Sequence, residues 1–174
     1  TKEGLEKYRL GQMAESLTAF RNALAEAGKF AADDSRTGVT HNNMGLALAG
    51  LGRLEEAATH YDRALAILEQ SPLEPAEMIR LLNNVGEFER ARGRWERSEE
   101  LFRRAIRIGE ESHEGGAMKA LPLNNLGMLV LQRSGPAEAV KYYAQAQQAL
   151  EAAGEQQWLY AVVLQNLGNC SLML

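Results

Sequence analysis

The residues best equipped for chemistry in this chain are amides. NNMG at 42–45, NNVG at 83–86, NNLG at 124–127 and QNLG at 165–168 each place carboxamides just ahead of a glycine. A carboxamide offers two N–H donors and an oxygen with two lone pairs. Its chemistry is hydrogen-bond recognition. The second asparagine of each phrase, Asn43, Asn84, Asn125 and Asn166, sits two residues before its glycine, roughly 200° round a helix. It therefore points away from whatever packs on the glycine. A row of such amides can hold the backbone of an extended peptide with little sequence preference. The alternative use is to bond neighbouring helices or water.

Charge is the next resource. Eight arginines fall between Arg80 and Arg107, accompanied by five glutamates, a local balance of +3. Glu99/Arg103 and Glu100/Arg104 stand at i,i+4, which suits a solvated face laced with ion pairs. The functional alternative gives Arg80 and Arg90 an acidic ligand, because the guanidinium fork binds carboxylate or phosphate bidentately. His41, His60 and His113 occur in different contexts, with no second His or Cys at metal spacing. "EESHE" at 110–114 offers at most an adventitious cation site. Cys170 has no base partner in the sequence and reads as packing. No nucleophile–base set, metal cluster or phosphate loop emerges, so no cofactor and no catalysis are expected.

The elements that must position these groups repeat. Gly45, Gly86, Gly127 and Gly168 follow one another at 41-residue steps, and one step earlier lies Gly4. Phe20, Tyr61, Phe102 and Tyr143 keep the same register. So do Ala23, Ala64, Ala105 and Ala146, and the small residues Ser16, Ala57, Ser98 and Ala139. Gly11, Gly52 and Gly93 mark turns, with Gly135 one place late in the fourth unit. Within a unit, Val39, Met44, Ala47, Leu48 and Leu51 follow helical spacing. After Gly52 the pattern resumes with Leu54, Ala57, Ala58, Tyr61, Ala64, Leu65 and Leu68. Two helices joined by a short turn make an antiparallel hairpin. Pro122, one turn before Gly127, predicts a helix from about Ala117 that bends there.

These columns resemble the tetratricopeptide repeat. Its Leu-Gly place is Met44-Gly45, Val85-Gly86, Leu126-Gly127 and Leu167-Gly168, and its Ala-x3-Phe place is Ser16/Phe20, Ala57/Tyr61, Ser98/Phe102 and Ala139/Tyr143. The usual Trp place holds His41, Leu82, Leu123 and Leu164, and the aromatic place after the glycine holds Leu48, Glu89, Val130 and Ser171. The period exceeds the usual 34 by about seven residues, roughly one extra turn per helix. This long form is similar to repeats of kinesin light chains, Leu-Gly-Asn-type scaffolds and bacterial regulators. The resemblance implies an all-α, right-handed superhelical solenoid of antiparallel hairpins, about four repeats plus a terminal helix. It implies that first helices line a concave groove for a protein or peptide. The groove residues would be Asn43, Asn84, Asn125 and Asn166, flanked by Leu46, Arg80, Glu87, Arg90 and Met128. Stacked lysines of a carboxylate clamp are absent from these positions.

A single repeat domain over 1–174 is expected, with units at about 1–34, 35–74, 75–115, 116–154 and a partial fifth at 155–174, as a piece of a longer chain. The expected function is a non-catalytic scaffold that binds a protein or peptide. Two rivals are a peptide-sensing module of a bacterial transcription regulator or signalling ATPase, and a structural oligomerisation spacer. A net charge of −4 argues against nucleic acid. No apolar run approaches the ~18–20 residues of a membrane span. One cysteine cannot form an internal disulfide, so the cytoplasm is expected. The alanine- and arginine-rich composition suggests a bacterial source. In the last segment Leu164, Leu167 and Cys170 are expected to face a missing second helix, leaving an apolar end able to self-associate.

Overall fold

The structure, a computed structural model, describes residues 1–27, 34–70, 74–112, 116–154 and 158–174. His113, Gly115 and most of the "SPLEP" segment lie outside the described residues. Among those described, nine helices and no strand are present. The chain forms two compact units, Thr1–Glu74 and Pro75–Leu174.

The first unit holds α1 (Lys2–Arg9), α2 (Met13–Ala27), α3 (Ser35–Gly50) and α4 (Leu54–Leu68), each packed on the next. α4 shows why the sequence folds this way. Ala57, Tyr61, Ala64, Leu65 and Leu68 recur every three or four residues and all are buried. Burying side chains as large as Tyr61 and Leu68 contributes about 1.5–3 kcal/mol each. The expected apolar stripes are trimmed at the turn. Leu51 and Leu54 flank Gly52 and stay 40% and 44% exposed, because a helix end has lost the facing turn of its neighbour. Gly52 itself holds φ +73°, a left-handed conformation that a side chain would strain.

The second unit holds α5 (Pro75–Ala91), α6 (Trp95–Glu111), α7 (Gly116–Ser134), α8 (Pro136–Ala152) and α9 (Trp158–Leu172). α5/α6 and α7/α8 are hairpins, and Pro136 opens α8 at its first turn, where a missing N–H costs nothing. α7 touches α5 and α9 as well as α6 and α8. The first helices α5, α7 and α9 therefore lie side by side in one layer, with α6 and α8 behind. α7 runs unbroken through the buried Pro122. Around it, Phe102, Leu126, Leu129, Ala139, Tyr143 and Cys170 form one core cluster, while Leu123, Ala146, Leu150, Leu159 and Val163 form another.

The glycine column explains the hairpins. A Cβ built on Gly45 would stand 2.7 Å from Tyr61 Cε1, on Gly86 2.6 Å from Phe102 Cε1 and on Gly127 2.7 Å from Tyr143 Cε1. Each ring lies flat against bare helix backbone. Gly4 meets Phe20 in the same way, while a Cβ on Gly168 would meet nothing within 4 Å. The small-residue column joins in where it is serine. The Ser16 hydroxyl donates to the Gly4 carbonyl at 2.8 Å and that of Ser98 to the Gly86 carbonyl at 2.7 Å.

One expectation about the last helix is corrected. Cys170 does not turn outward with Leu164. It is fully buried against the Tyr143 cluster, because α9 packs on α8 and α7 and its Cys170 side lies inward. Burial pushes its thiol pKa up. Leu164 remains 40% exposed.

Candidate functional site

In the second unit the asparagines form bonded pairs between first helices. Asn125 on α7 donates from Nδ2 to Asn83 Oδ1 on α5 at 3.0 Å. Asn166 on α9 donates to Asn124 Oδ1 on α7 at 2.9 Å. Asn124 in turn donates to Asn125 Oδ1 at 3.3 Å and approaches Met128 Sδ at 3.8 Å. Each interhelical bond spans 42 residues, one more than the period, so the second asparagine of a phrase reaches the first asparagine of the phrase before it. The cause is burial. Asn83 and Asn124 are each 3% exposed and Asn125 is 8% exposed, and polar groups at that depth must find partners.

The phrase thus splits three ways. The glycine receives a ring from behind, the first asparagine is sunk between first helices, and the second reaches across to it. Asn84 and Asn166 remain half-buried at the layer's surface. Glu87 and Arg80 are exposed, Met128 is half-buried, and Arg80 is held by Glu77 at 2.5 Å. Arg90 behaves differently from the other groove candidates. Its Nε is buried without a hydrogen-bond partner. Its charge acts on Tyr143 of α8, where it partly opposes the burial and the nearby Cys170 that push that phenol up to about 12. In the first unit, Asn43 is buried and Leu46 half-buried on α3.

The arginine-rich stretch is laced with ion pairs. Arg103 pairs with Glu99 at 2.8 Å and Arg97 with Glu100 at 2.9 Å. Arg133 of α7 ties both Glu96 and Glu99 of α6 at 3.0 Å. The cleft beside them is lined by Glu99, Arg103, Arg133 and Glu138 together, so its charges answer one another. Arg97, three residues before Glu100 on the same helix, also reaches Glu100.

Sequence reasoning missed one constellation. His41 and His60, expected in unrelated contexts, meet across the α3–α4 hairpin with Nδ1 atoms 2.7 Å apart. The signal was present in the register. One period on, His41 aligns with Leu82 and His60 with Leu101, both buried. Among the described residues no group of three or more His, Cys, Asp or Glu side chains could hold a metal ion. Among them, too, no helix is long and apolar enough to cross a membrane.

Paired helices, a glycine under each aromatic and a 41-residue register together make a repeat, and the tetratricopeptide repeat family model matches residues 5–70 and 77–152. The chain belongs to the tetratricopeptide repeat family. Such repeats are generally protein-interaction scaffolds that bind proteins or peptides, and they are typically non-catalytic. Solved structures share the fold. TPR-like repeats of a kinesin light chain from Podosopora anserina are 15% identical, with a TM-score of 0.76, over 97% of this chain and 82% of that one. BtubC (BKLC) from P. vanneervenii is 20% identical at TM-score 0.78, over 92% of this chain and 66% of that one. The apo form of RapI is 15% identical at TM-score 0.79, over 98% of this chain and 46% of that one. No curated protein matches the sequence. At these identities the likeness is one of fold, and the tetratricopeptide columns of this chain carry its own departures, His41 and Glu89 among them.

Proposed function

We propose that the layer of first helices is a binding face for an extended peptide, and that the chain is a non-catalytic, cytoplasmic interaction module. The observation that carries this reading is the amide ladder of the second unit. Asn125 spends one donor on Asn83 and one lone pair on Asn124, which leaves it a second N–H and a second lone pair. Asn84 and Asn166 sit half-buried beside it. A peptide backbone laid along α5, α7 and α9 would find alternating donors and acceptors held rigid by the ladder, so little ordering entropy is lost on binding. Met128 offers an apolar contact in the middle, and Arg80 and Glu87 give charge at the α5 edge. In the first unit Asn43 and Leu46 occupy the corresponding register.

The test begins with peptides selected from a random display library against the 174-residue chain. Backbone amide NMR shifts should move on α5, α7 and α9 and stay still on the outward sides of α6 and α8. Combining Asn84→Ala with Asn125→Ala should weaken a selected peptide about tenfold or more, the loss of ~1.4 kcal/mol of hydrogen bonding. Shifts confined to α6 and α8, or an unchanged affinity in a folded double variant, would refute the reading.

A second reading, assembly through the last helix, is favoured by exposed Leu164, Leu172 and Met173 on or beside α9. Sedimentation at rising concentration separates the two: a strict monomer that still binds selected peptides leaves only the peptide-binding face.

A further inference from the structure

The α3–α4 hairpin carries a pair of titratable rings where the aligned α5–α6 hairpin carries two buried leucines. His41 aligns with Leu82 and Leu123, and His60 with Leu101 and Tyr142. Leu82, Leu101 and Leu123 are almost wholly buried. In the α3–α4 hairpin the two Nδ1 atoms instead stand 2.7 Å apart, with ring centroids 4.9 Å apart and planes tilted by 35°. His41 is 5% exposed and His60 half-buried. At this distance one Nδ1 carries a hydrogen and the other a lone pair.

The charged groups that act on the pair come from two helices besides α3. The charge of Arg63 of α4 acts on both rings, while Arg21 of α2 and Glu56 of α4 act on His60. Burial holds His41 down to about 4, helped by His60 and Arg63. His60 is lowered by burial first, then by Arg63 and Arg21, with Glu56 opposing. The two arginines also disfavour a metal dication between the rings.

We propose that His41 and His60 form a proton-sensitive latch between α3 and α4. The neutral pair is closed by a single Nδ1–H···Nδ1 bond. A first proton can enter at the bare Nε2 of the donating ring, which leaves the shared hydrogen in place. A second proton must take the lone pair of the accepting Nδ1. It breaks the bond and sets two N–H groups against each other inside the hairpin, so the doubly charged pair opens it. The two rings titrate as one coupled unit.

The direction of the pH effect follows from the lowered values. The unfolded chain takes up protons near pH 6.5, while the folded hairpin resists until lower pH. The latch's contribution is complete above pH 6.5 and is lost as pH falls from there towards 4. For His41 alone, pH 5 lies 1.5 units below the unfolded value, roughly a 30-fold loss in the folding equilibrium constant.

Two measurements on the 174-residue chain test this. Ring carbon NMR reads the histidine titrations in the folded protein. Urea unfolding at pH 7.5 and 5.0 compares the natural chain with H41L/H60L, which installs the residues of the aligned α5–α6 hairpin. His41 should titrate far below 6.5, and the natural chain should lose about 30-fold more of its folding constant on acidification than the double variant. Backbone amides of α3 and α4, corrected for intrinsic exchange, should lose protection at acid pH before those of α5 and α6. Ordinary titration of His41 near 6.5, or equal acid losses in both chains, overturns the latch. If H41L/H60L does not fold, the titration and the exchange pattern of the natural chain decide alone. Undiminished α3–α4 protection once both rings are charged would then overturn it.

Discussion

Replacing Gly86 with alanine adds one methyl group at the tightest point of the α5–α6 hairpin. The new Cβ would stand 2.6 Å from Phe102 Cε1 and 2.9 Å from Cδ1. Carbon atoms prefer about 3.5–4.0 Å, so the ring or the helix must retreat by about 1 Å. The ring has nowhere to go: it is fully buried and enclosed by Leu126, Leu129 and Tyr143. Overpacking a core typically costs about 1–3 kcal/mol, and a clash with an immobile ring belongs at the upper end. Alanine's better helix propensity offsets about 1 kcal/mol. The net expectation is a loss of about 2 kcal/mol.

Gly168 supplies the internal control. It occupies the same column, but its Cβ would meet nothing within 4 Å. Only propensity acts there, so Gly168→Ala should stabilise by up to about 1 kcal/mol. Two identical substitutions at aligned positions should therefore have opposite signs. In urea, with an m-value of about 2 kcal/mol/M, Gly86→Ala should lower the unfolding midpoint by about 1 M while Gly168→Ala leaves it unchanged or raises it. A Gly86→Ala chain that unfolds at the natural midpoint would refute the packing account of the column. So would a Gly168→Ala chain that loses as much as Gly86→Ala.

Asn125→Ala should cost about 1–3 kcal/mol, because it strips the donor from the buried Asn83 oxygen; a double-mutant cycle with Asn83→Ala should show coupling of about 0.5 kcal/mol or more, and additivity would mean the bond contributes nothing. Tyr143 is neutral in the fold up to about pH 12, chiefly through burial, and near 10 when unfolded, so stability present below pH 10 should be lost between 10 and 12, roughly 100-fold in the folding constant. Tyr143→Phe should remove that alkaline loss without harm at pH 7, since the hydroxyl has no hydrogen-bond partner and aligned positions 20 and 102 carry Phe; alkaline urea titrations of both chains check it. Ser98→Ala should cost only about 1 kcal/mol by urea unfolding, one buried hydrogen bond to the Gly86 carbonyl, because Ala57 and Ala139 fill the same place in other repeats.

The fold was legible because its determinants are periodic. A glycine that must touch a ring, and a turn that must pass through positive φ, leave a mark at every 41-residue step. The hairpins, the turn glycines and the aromatic column could therefore be read before any coordinate. The amides were legible as a site and ambiguous in use, since helical angle shows where a side chain leaves the backbone and not which neighbour it reaches. Asn125 and Asn83 are 42 residues apart, and only the stacking of α7 on α5 makes them partners. Arg90 shows the same ambiguity, with its Nε buried and its charge acting on Tyr143. Four residues beyond Gly86 it shares the packed side of α5, and its long stem carries the charge to Tyr143. The histidine pair could have been found by asking what stands opposite His41 in the aligned hairpin, where Leu82 and Leu101 are both buried.

The ladder also bears on why polar residues sit in an apolar seam at all. Leucines at 83, 124 and 125 would bury more apolar surface, yet an apolar seam tolerates a slip of one helix along another. The amide pairs do not. Sliding α7 by one residue against α5 would separate Asn125 from Asn83 and strip the buried Asn83 oxygen of its donor, at a cost of about 1–3 kcal/mol. The bonds thus fix the register in which first helices meet, much as a buried asparagine fixes register in a coiled coil. A binding face built across several helices needs that registration, because a peptide reads the spacing between helices as well as the groups they carry. The same asparagines that hold α5, α7 and α9 in step are those with donors and acceptors to spare, so the ladder and the proposed peptide site are two consequences of one buried amide row.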